Sequence, residues 1–185
     1  MKNNVYLITG PIGSGKSTAL EIISNLDLFT VDLDKVSNNI LNQTESFNFI
    51  KNNFPDAIKN NIISKQVLAN IVFSDDEELK KLENYLHPRV LNELDKIVSS
   101  ASGPIFVEVS APKTIHSNYE ALVIFADKEV RVERLLSRGM QLDDINNRIA
   151  TQQDDHWWLS LGKVIYNNNF KDFKTELLEF IKEVT

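Results

Sequence analysis

Apolar residues recur along the chain with two different periods. Short runs rich in aliphatic, aromatic and β-branched residues read as buried strands: Val5 to Thr9, Leu28 to Val31, Ile105 to Val109, Leu122 to Ala126 and Val164 to Tyr166. Between them the spacing turns helical. Helical patterns lie over Ala19 to Ile23, around Lys35 to Leu41, Ser46 to Phe54, almost continuously from about Ile62 to Ser100, and then over Val130 to Leu136, Leu142 to Gln153 and Phe170 to Glu183. Leu79, Leu82, Leu86 and Val90 repeat at helical spacing behind a capping signal, Ser74-Asp75-Asp76-Glu77, and Pro88 predicts a kink or break there. Strands that alternate with helices predict an α/β protein, with a mostly parallel sheet of about five strands covered on both faces. The long helical stretch of about 60–100 has no partner strand, so it reads as a helical insertion within a single domain spanning 1–185.

One loop changes this picture from architecture to chemistry. Gly10-Pro-Ile-Gly-Ser-Gly-Lys-Ser-Thr18 is a complete G-x-x-x-x-G-K-[ST] pattern, with a predicted strand before it and a predicted helix after it. Strand, glycine loop and helix in that order make a P-loop NTPase-type nucleotide site. Glycines let the backbone wrap an anion, and the helix N-terminus adds its positive end. Gly10, Ile12, Gly13, Ser14, Gly15, Lys16, Ser17 and Thr18 are thereby assigned to ATP. Lys16 reaches the β- and γ-phosphates, and the Ser17 hydroxyl is a ligand for Mg²⁺.

Composition narrows the partners. The chain has 185 residues, 42 % of them hydrophobic, enough for one α/β core. Its formal net charge is −6, without a basic tract, which points away from nucleic acid and anionic membranes. Useful cations are therefore expected to be local, gathered around phosphates. The absence of cysteine excludes a disulfide framework and thiolate chemistry. The first strand follows Met1-Lys2-Asn3-Asn4 directly, and no apolar run is long enough to span a bilayer, so a cytoplasmic protein without a signal peptide is expected. Nothing in the sequence speaks to oligomeric state.

Two groups of side chains could do the chemistry. Asp32 and Asp34 fall at the carboxyl end of the second predicted strand, where ligands of open α/β sheets bind. If that strand continued through them, both would face one side. One could orient an acceptor hydroxyl and take its proton, the other could help hold Mg²⁺; alternatively they cap the helix near Lys35. Arg131, Arg134 and Arg138 share a predicted helix, Arg148 lies on the next, and together they suggest a lid at about 137–157 that neutralises charge on a transferring phosphoryl group. The competing reading is a solvated face paired with Glu133, Asp143 and Asp144. His87, His116 and His156 stand apart, without a zinc pattern. Trp157 and Trp158 are expected to pack against the sheet or the base of the lid.

Taken together, the loop, Asp32-x-Asp34, Lys65-x-x-Leu68 to Phe73, Leu86-His87-Pro88, the helix with Arg134 and Arg138, Arg148-Ile149-x-x-Gln152 and Val164-Ile165-x-Asn167 resemble the dephospho-coenzyme A kinase family over most of the length. The resemblance implies a nucleotide core, a helical acceptor-binding insertion and a lid. It implies ATP-dependent phosphorylation of the 3′-hydroxyl of dephospho-coenzyme A, with Asp34 as the base and a Mg²⁺ ligand. By the same resemblance Asp32, Lys65, His87 and Arg89 serve the acceptor, Arg134 and Arg138 serve catalysis, and Arg148 and Asn167 serve the nucleotide. Three places depart from the family pattern. The Pro-Leu-Leu-aromatic-Glu segment usual after the third strand is replaced by Glu108 to Lys113. Asn169 replaces a usual glycine, and the run Asp154 to Trp158 stands where a basic residue usually follows Gln152.

Overall fold

The computed structural model describes residues 5–110, 112 and 119–185. Ala111 and Lys113 of the departing segment, His116 and residues 1–4 lie outside them. Five parallel strands form the main sheet: β1 (Val5–Thr9), β2 (Phe29–Asp32), β5 (Ile105–Glu108), β6 (Glu120–Phe125) and β7 (Lys163–Tyr166), in the spatial order β2-β5-β1-β6-β7. β1 is central, and every one of its residues is buried. The alternation of a strand then sorts the side chains to two faces. Tyr6, Ile8, Leu122 and Ile124 point into one cluster with Ala19 and Ile23 of α1 (Lys16–Ser24) and Phe173, Leu177, Phe180 and Ile181 of α9 (Phe170–Val184). Val123 and Phe125 point the other way, onto Trp158 of α8 (Asp155–Leu159), which gives the tryptophan the packing role expected of it. Two further helices, α6 (Lys128–Ser137) and α7 (Leu142–Ala150), complete this unit, which comprises the residues up to Asp32 and those from Ala101 onward.

The second compact unit is Leu33–Ser100, so the insertion expected over about 60–100 falls inside a longer helical piece. It contains α2 (Leu33–Leu41), α3 (Thr44–Asn53), α4 (Lys65–Ser74) and α5 (Asp76–Ser100). Its own core joins Ile50 and Phe54 to Ala57, Leu68, Val72 and Leu82.

Three local expectations are corrected. Ile62 and Ile63 do not start a helix. They form β4 (Ile62–Ile63) and pair antiparallel with β3 (Ile58–Lys59) across Asn60 and Asn61, both with positive φ. A two-residue hairpin needs that left-handed turn, and asparagine tolerates it. The helix starts only at Lys65, where the Ser64 side chain accepts from the Val67 N–H. Pro88 does not break α5, which runs 25 residues. Leu82 and Leu94 on either side are buried, and packing outweighs the one hydrogen bond that proline removes. Lastly, β2 ends at Asp32, its last pair with β5, and Leu33 is already helical; Asp32 and Asp34 therefore do not share a strand face. The capping signal before α5 is realised by Asp75, whose carboxylate accepts from the N–H groups of Glu77 and Glu78.

Fully buried Phe173 lies in the cluster where α1 and α9 meet the sheet. Phe173→Ala is expected to lower stability by about 3–5 kcal/mol, read as a fall in the urea midpoint at unchanged slope. A loss below about 1.5 kcal/mol would mean that the surrounding side chains refill the space.

Candidate active site

The loop after β1 lies at the carboxyl edge of the sheet. Its first glycine has no room for a side chain, because a Cβ at Gly10 would run into the carbonyl of Ile124 on β6. At Gly15, φ is +104° and a Cβ would collide with the Asn167 side chain. Asn167 is what fills that space. Nearly buried, it follows β7 directly; its N–H donates to Phe125 O at 2.6 Å, and its Nδ2 donates to Ser14 O at 2.8 Å. Arg134, on α6, closes the same junction. Its Nη2 donates to Asn167 O at 2.7 Å and to Asn167 Oδ1 at 3.3 Å, and its Nη1 to Ser14 O at 3.4 Å. Burial lowers the Arg134 guanidinium below its ordinary range, the charge of Arg138 pushes the same way, and Glu133 opposes both. Two neighbouring guanidiniums, one partly desolvated, favour an anion beside them.

Other side chains complete the rim. Lys16 Nζ donates to the loop carbonyls of Gly10 at 2.9 Å and Pro11 at 3.2 Å. Ser17 Oγ donates to Glu108 Oε1 at 3.1 Å. Glu108 ends β5 and is the register partner of Asp32 at the end of β2. A serine hydroxyl and two strand-end carboxylates are the hard oxygen donors that suit Mg²⁺. Among the described residues no three His, Cys, Asp or Glu side chains come together as a metal cluster, so a cation here needs phosphate oxygens as further ligands. Ile12 N–H donates to Gln152 Oε1 at 2.9 Å, tying the loop to the segment after α7. Beside the loop opens a cavity of about 320 Å³, lined by Gly15, Thr18, Arg134, Arg138, Asn167 and Phe170 among others.

The fold thus brings together the loop residues, Arg134, Arg138 and Asn167. Arg148 is paired with Asp144 instead, one turn back on α7 at 3.2 Å. Arg131 is 3 % exposed and pairs with Asp155 at 3.0 Å. Asp34, Lys65, His87 and Arg89 lie in the helical unit. Asp34 is in the first turn of α2, Lys65 donates to Asn38 Oδ1 at 2.9 Å, and Arg89 donates to Tyr85 O at 2.8 Å with its guanidinium 3.7 Å from the Tyr85 ring centre. His87 is on α5, two residues from Arg89.

Glu108, Gln152 and Phe170 were not assigned to the site from the sequence. An acid closing an apolar strand run was a usable signal for Glu108, the same signal that picked out Asp32. For Gln152 the signal lies in the Arg148-Ile149-x-x-Gln152 motif, and for Phe170 it is spatial. The unusual run Asp154 to Trp158 proves to be scaffolding: Asp154 caps α8 by accepting from the Trp157 N–H, Asp155 holds Arg131, and Trp158 packs on the sheet. Asn169 has φ −119°, so no glycine is needed there, and its side chain caps α9.

Comparison with known proteins points to one family. The family model described as dephospho-CoA kinase matches residues 5–172. A dephospho-CoA kinase from Helicobacter pylori is 28 % identical, with 97 % of this chain and 96 % of the relative covered. A crystal structure from Thermus thermophilus superposes with a TM-score of 0.91 at 26 % identity, covering 100 % of both chains. The dephospho-CoA kinase from Campylobacter jejuni gives a TM-score of 0.71 at 27 % identity, covering 98 % of this chain and 97 % of that one. Matched by the family model over residues 5–172 and by relatives along nearly the whole sequence, the chain belongs to the dephospho-CoA kinase family.

Proposed function

We propose that this chain transfers the γ-phosphoryl group of ATP to the 3′-hydroxyl of dephospho-coenzyme A, giving coenzyme A and ADP. One observation supports this beyond family membership: residues far apart in sequence, on the loop, on α6 and after β7, converge on the carbonyl of Ser14. That convergence fixes the loop in a shape whose N–H groups can receive a polyphosphate.

The roles follow from the chemistry. Gly10 to Thr18 cradle the phosphates. Lys16 exchanges its loop carbonyls for phosphate oxygens, a stronger, charge-assisted bond. Ser17 and Asp34 would hold Mg²⁺ together with the phosphates, with Asp32 and, added in this proposal, Glu108 reaching the ion through water. When bound, the ion neutralises charge on the β- and γ-oxygens. Asp34 accepts the proton of the acceptor hydroxyl, whose oxygen forms the new bond to the γ-phosphorus while the bond to the bridging β–γ oxygen breaks. Arg134 and Arg138 supply fixed positive charge at the phosphates, and Arg148 joins them if the lid at about 137–157 closes and Asp144 releases it. Lys65, His87 and Arg89 hold the phosphate-bearing acceptor on the helical unit. The cytoplasm, where ATP is made available, is the proposed setting, in keeping with a chain that lacks cysteine.

The reading is tested by acceptor-dependent ADP release with dephospho-coenzyme A, adenosine, AMP, dCMP and shikimate at equal concentration. Dephospho-coenzyme A is expected to give the highest kcat/KM, and adenosine to lose kcat as well as affinity, because the remote part of the acceptor aligns the hydroxyl. A better rate with any other acceptor rejects the substrate and leaves only a P-loop kinase.

Lys16→Ala is expected to slow turnover about a hundredfold or more, since a fixed charge on the transferring group is lost. Near-normal turnover of the purified variant would remove the loop from the active site.

Asp34→Asn keeps the shape but cannot take a proton. It should abolish most turnover with ATP affinity nearly intact, while Asp32→Asn is milder or alters the Mg²⁺ dependence. The reverse ranking, measured on both variants, would exchange the two roles.

A further inference from the structure

Arg89 is exposed, yet its side chain is held in place. Its guanidinium carbon lies 3.7 Å from the ring centre of Tyr85, one turn back on α5, and its Nη1 donates to Tyr85 O. The half-buried Tyr85 ring is in turn stacked on Phe49 of α3, with centres 3.8 Å apart and planes 10° from parallel. Two groups this close to one ring centre must take opposite faces, so Arg89, Tyr85 and Phe49 form a three-layer stack. Its inner end is anchored. Phe49 meets the ring of Phe54, a residue of the helical unit's core, and the Tyr85 hydroxyl lies 3.2 Å from Oγ of buried Ser46. The stack therefore runs from that core out to a cation at the surface.

An exposed arginine ordinarily moves among many rotamers, and ordering it opposes binding. Here the side chain is ordered before a ligand arrives. A guanidinium is a rigid planar fork. With one face on a ring and Nη1 on a carbonyl, Nη2 is left as a donor without a hydrogen-bond partner among the described residues. A cationic N–H donor of this kind suits a phosphate oxygen. We propose that Tyr85, backed by Phe49 and Ser46, is a positioning residue that fixes Arg89 as a preformed donor to the diphosphate of the acceptor. This rests on the reading of dephospho-coenzyme A as the acceptor, and it adds the group that aims the arginine. Tyr85 acts through Arg89 and makes no contact of its own with the acceptor.

The test is calorimetric binding of dephospho-coenzyme A to the full chain and to Tyr85→Phe, Tyr85→Leu, Arg89→Ala and the double variant Tyr85→Leu/Arg89→Ala. Loss of a charge-assisted hydrogen bond should weaken binding about tenfold in Arg89→Ala. Tyr85→Leu keeps apolar bulk but offers no π face, and should weaken binding about threefold. Tyr85→Phe keeps the stack and should bind like the unaltered chain. The double variant should bind like Arg89→Ala alone, since Tyr85 has nothing left to aim. Unaltered affinity in Arg89→Ala or in Tyr85→Leu overturns the proposal. So does a loss in Tyr85→Phe as large as that in Tyr85→Leu. A further loss in the double variant, beyond that of Arg89→Ala, also overturns it, because Tyr85 would then be supporting the helical unit rather than the arginine. ATP binding by the unaltered chain separates the two readings. If that chain binds ATP but not dephospho-coenzyme A, the acceptor reading fails and this proposal with it. If it binds both and the variants behave otherwise than expected, this proposal fails alone.

Discussion

The carbonyl oxygen of Ser14 is the point on which the carboxyl edge of this sheet depends. It accepts from Asn167 and from Arg134, and through them it ties the loop to the turn after β7 and to α6. The two donors also bond to each other, so neither can leave without stranding a partner. Asn167 is 3 % exposed, and an unsatisfied buried amide costs on the order of 1–3 kcal/mol. The same asparagine dictates a glycine at position 15, because any side chain there would occupy its space. Loop geometry is thus a tertiary property here, set by residues more than a hundred positions away as much as by the glycines themselves.

Electrostatics adds to this constraint. The chain as a whole is acidic, with a formal net charge of −6, and its ligand is an anion. Local placement has to overcome that global sign. Arg134 is partly buried and close to Arg138, and burial first, then that neighbouring charge, lowers its affinity for its proton. Lys16 donates to two loop carbonyls, which hold its ammonium at the phosphate loop.

Much of the fold was legible in the sequence because its signals are local. The five strand runs, the loop between the first strand and its helix, and the alternation of Leu122 to Phe125 between two faces all follow from neighbours in the chain. What escaped was decided by pairing across distance or by turn chemistry. The Asn60-Asn61 turn converts apparent helical residues into a hairpin, and α5 passes through Pro88 because flanking leucines are buried. The site divides in the same way. Its loop residues carry their own motif, whereas Gln152 and Glu108 gain a definite role once Ile12 and Ser17 stand opposite them. Arg131 and Arg134, alike in sequence, part company in the fold, one bound to Asp155 and the other to the loop.

The helical unit leaves the sheet portion at Leu33 and ends at Ser100, one uninterrupted stretch with its own apolar centre. A chain arranged in this way can be edited by recombination at two points. Exchanging that stretch would replace whatever the helices recognise while leaving Ser14, Asn167 and Arg134 untouched. The boundary falls between Asp32 and Asp34, however. A transplanted piece would keep Asp32 of the recipient and import whatever stands in the place of Asp34, in the first turn of α2.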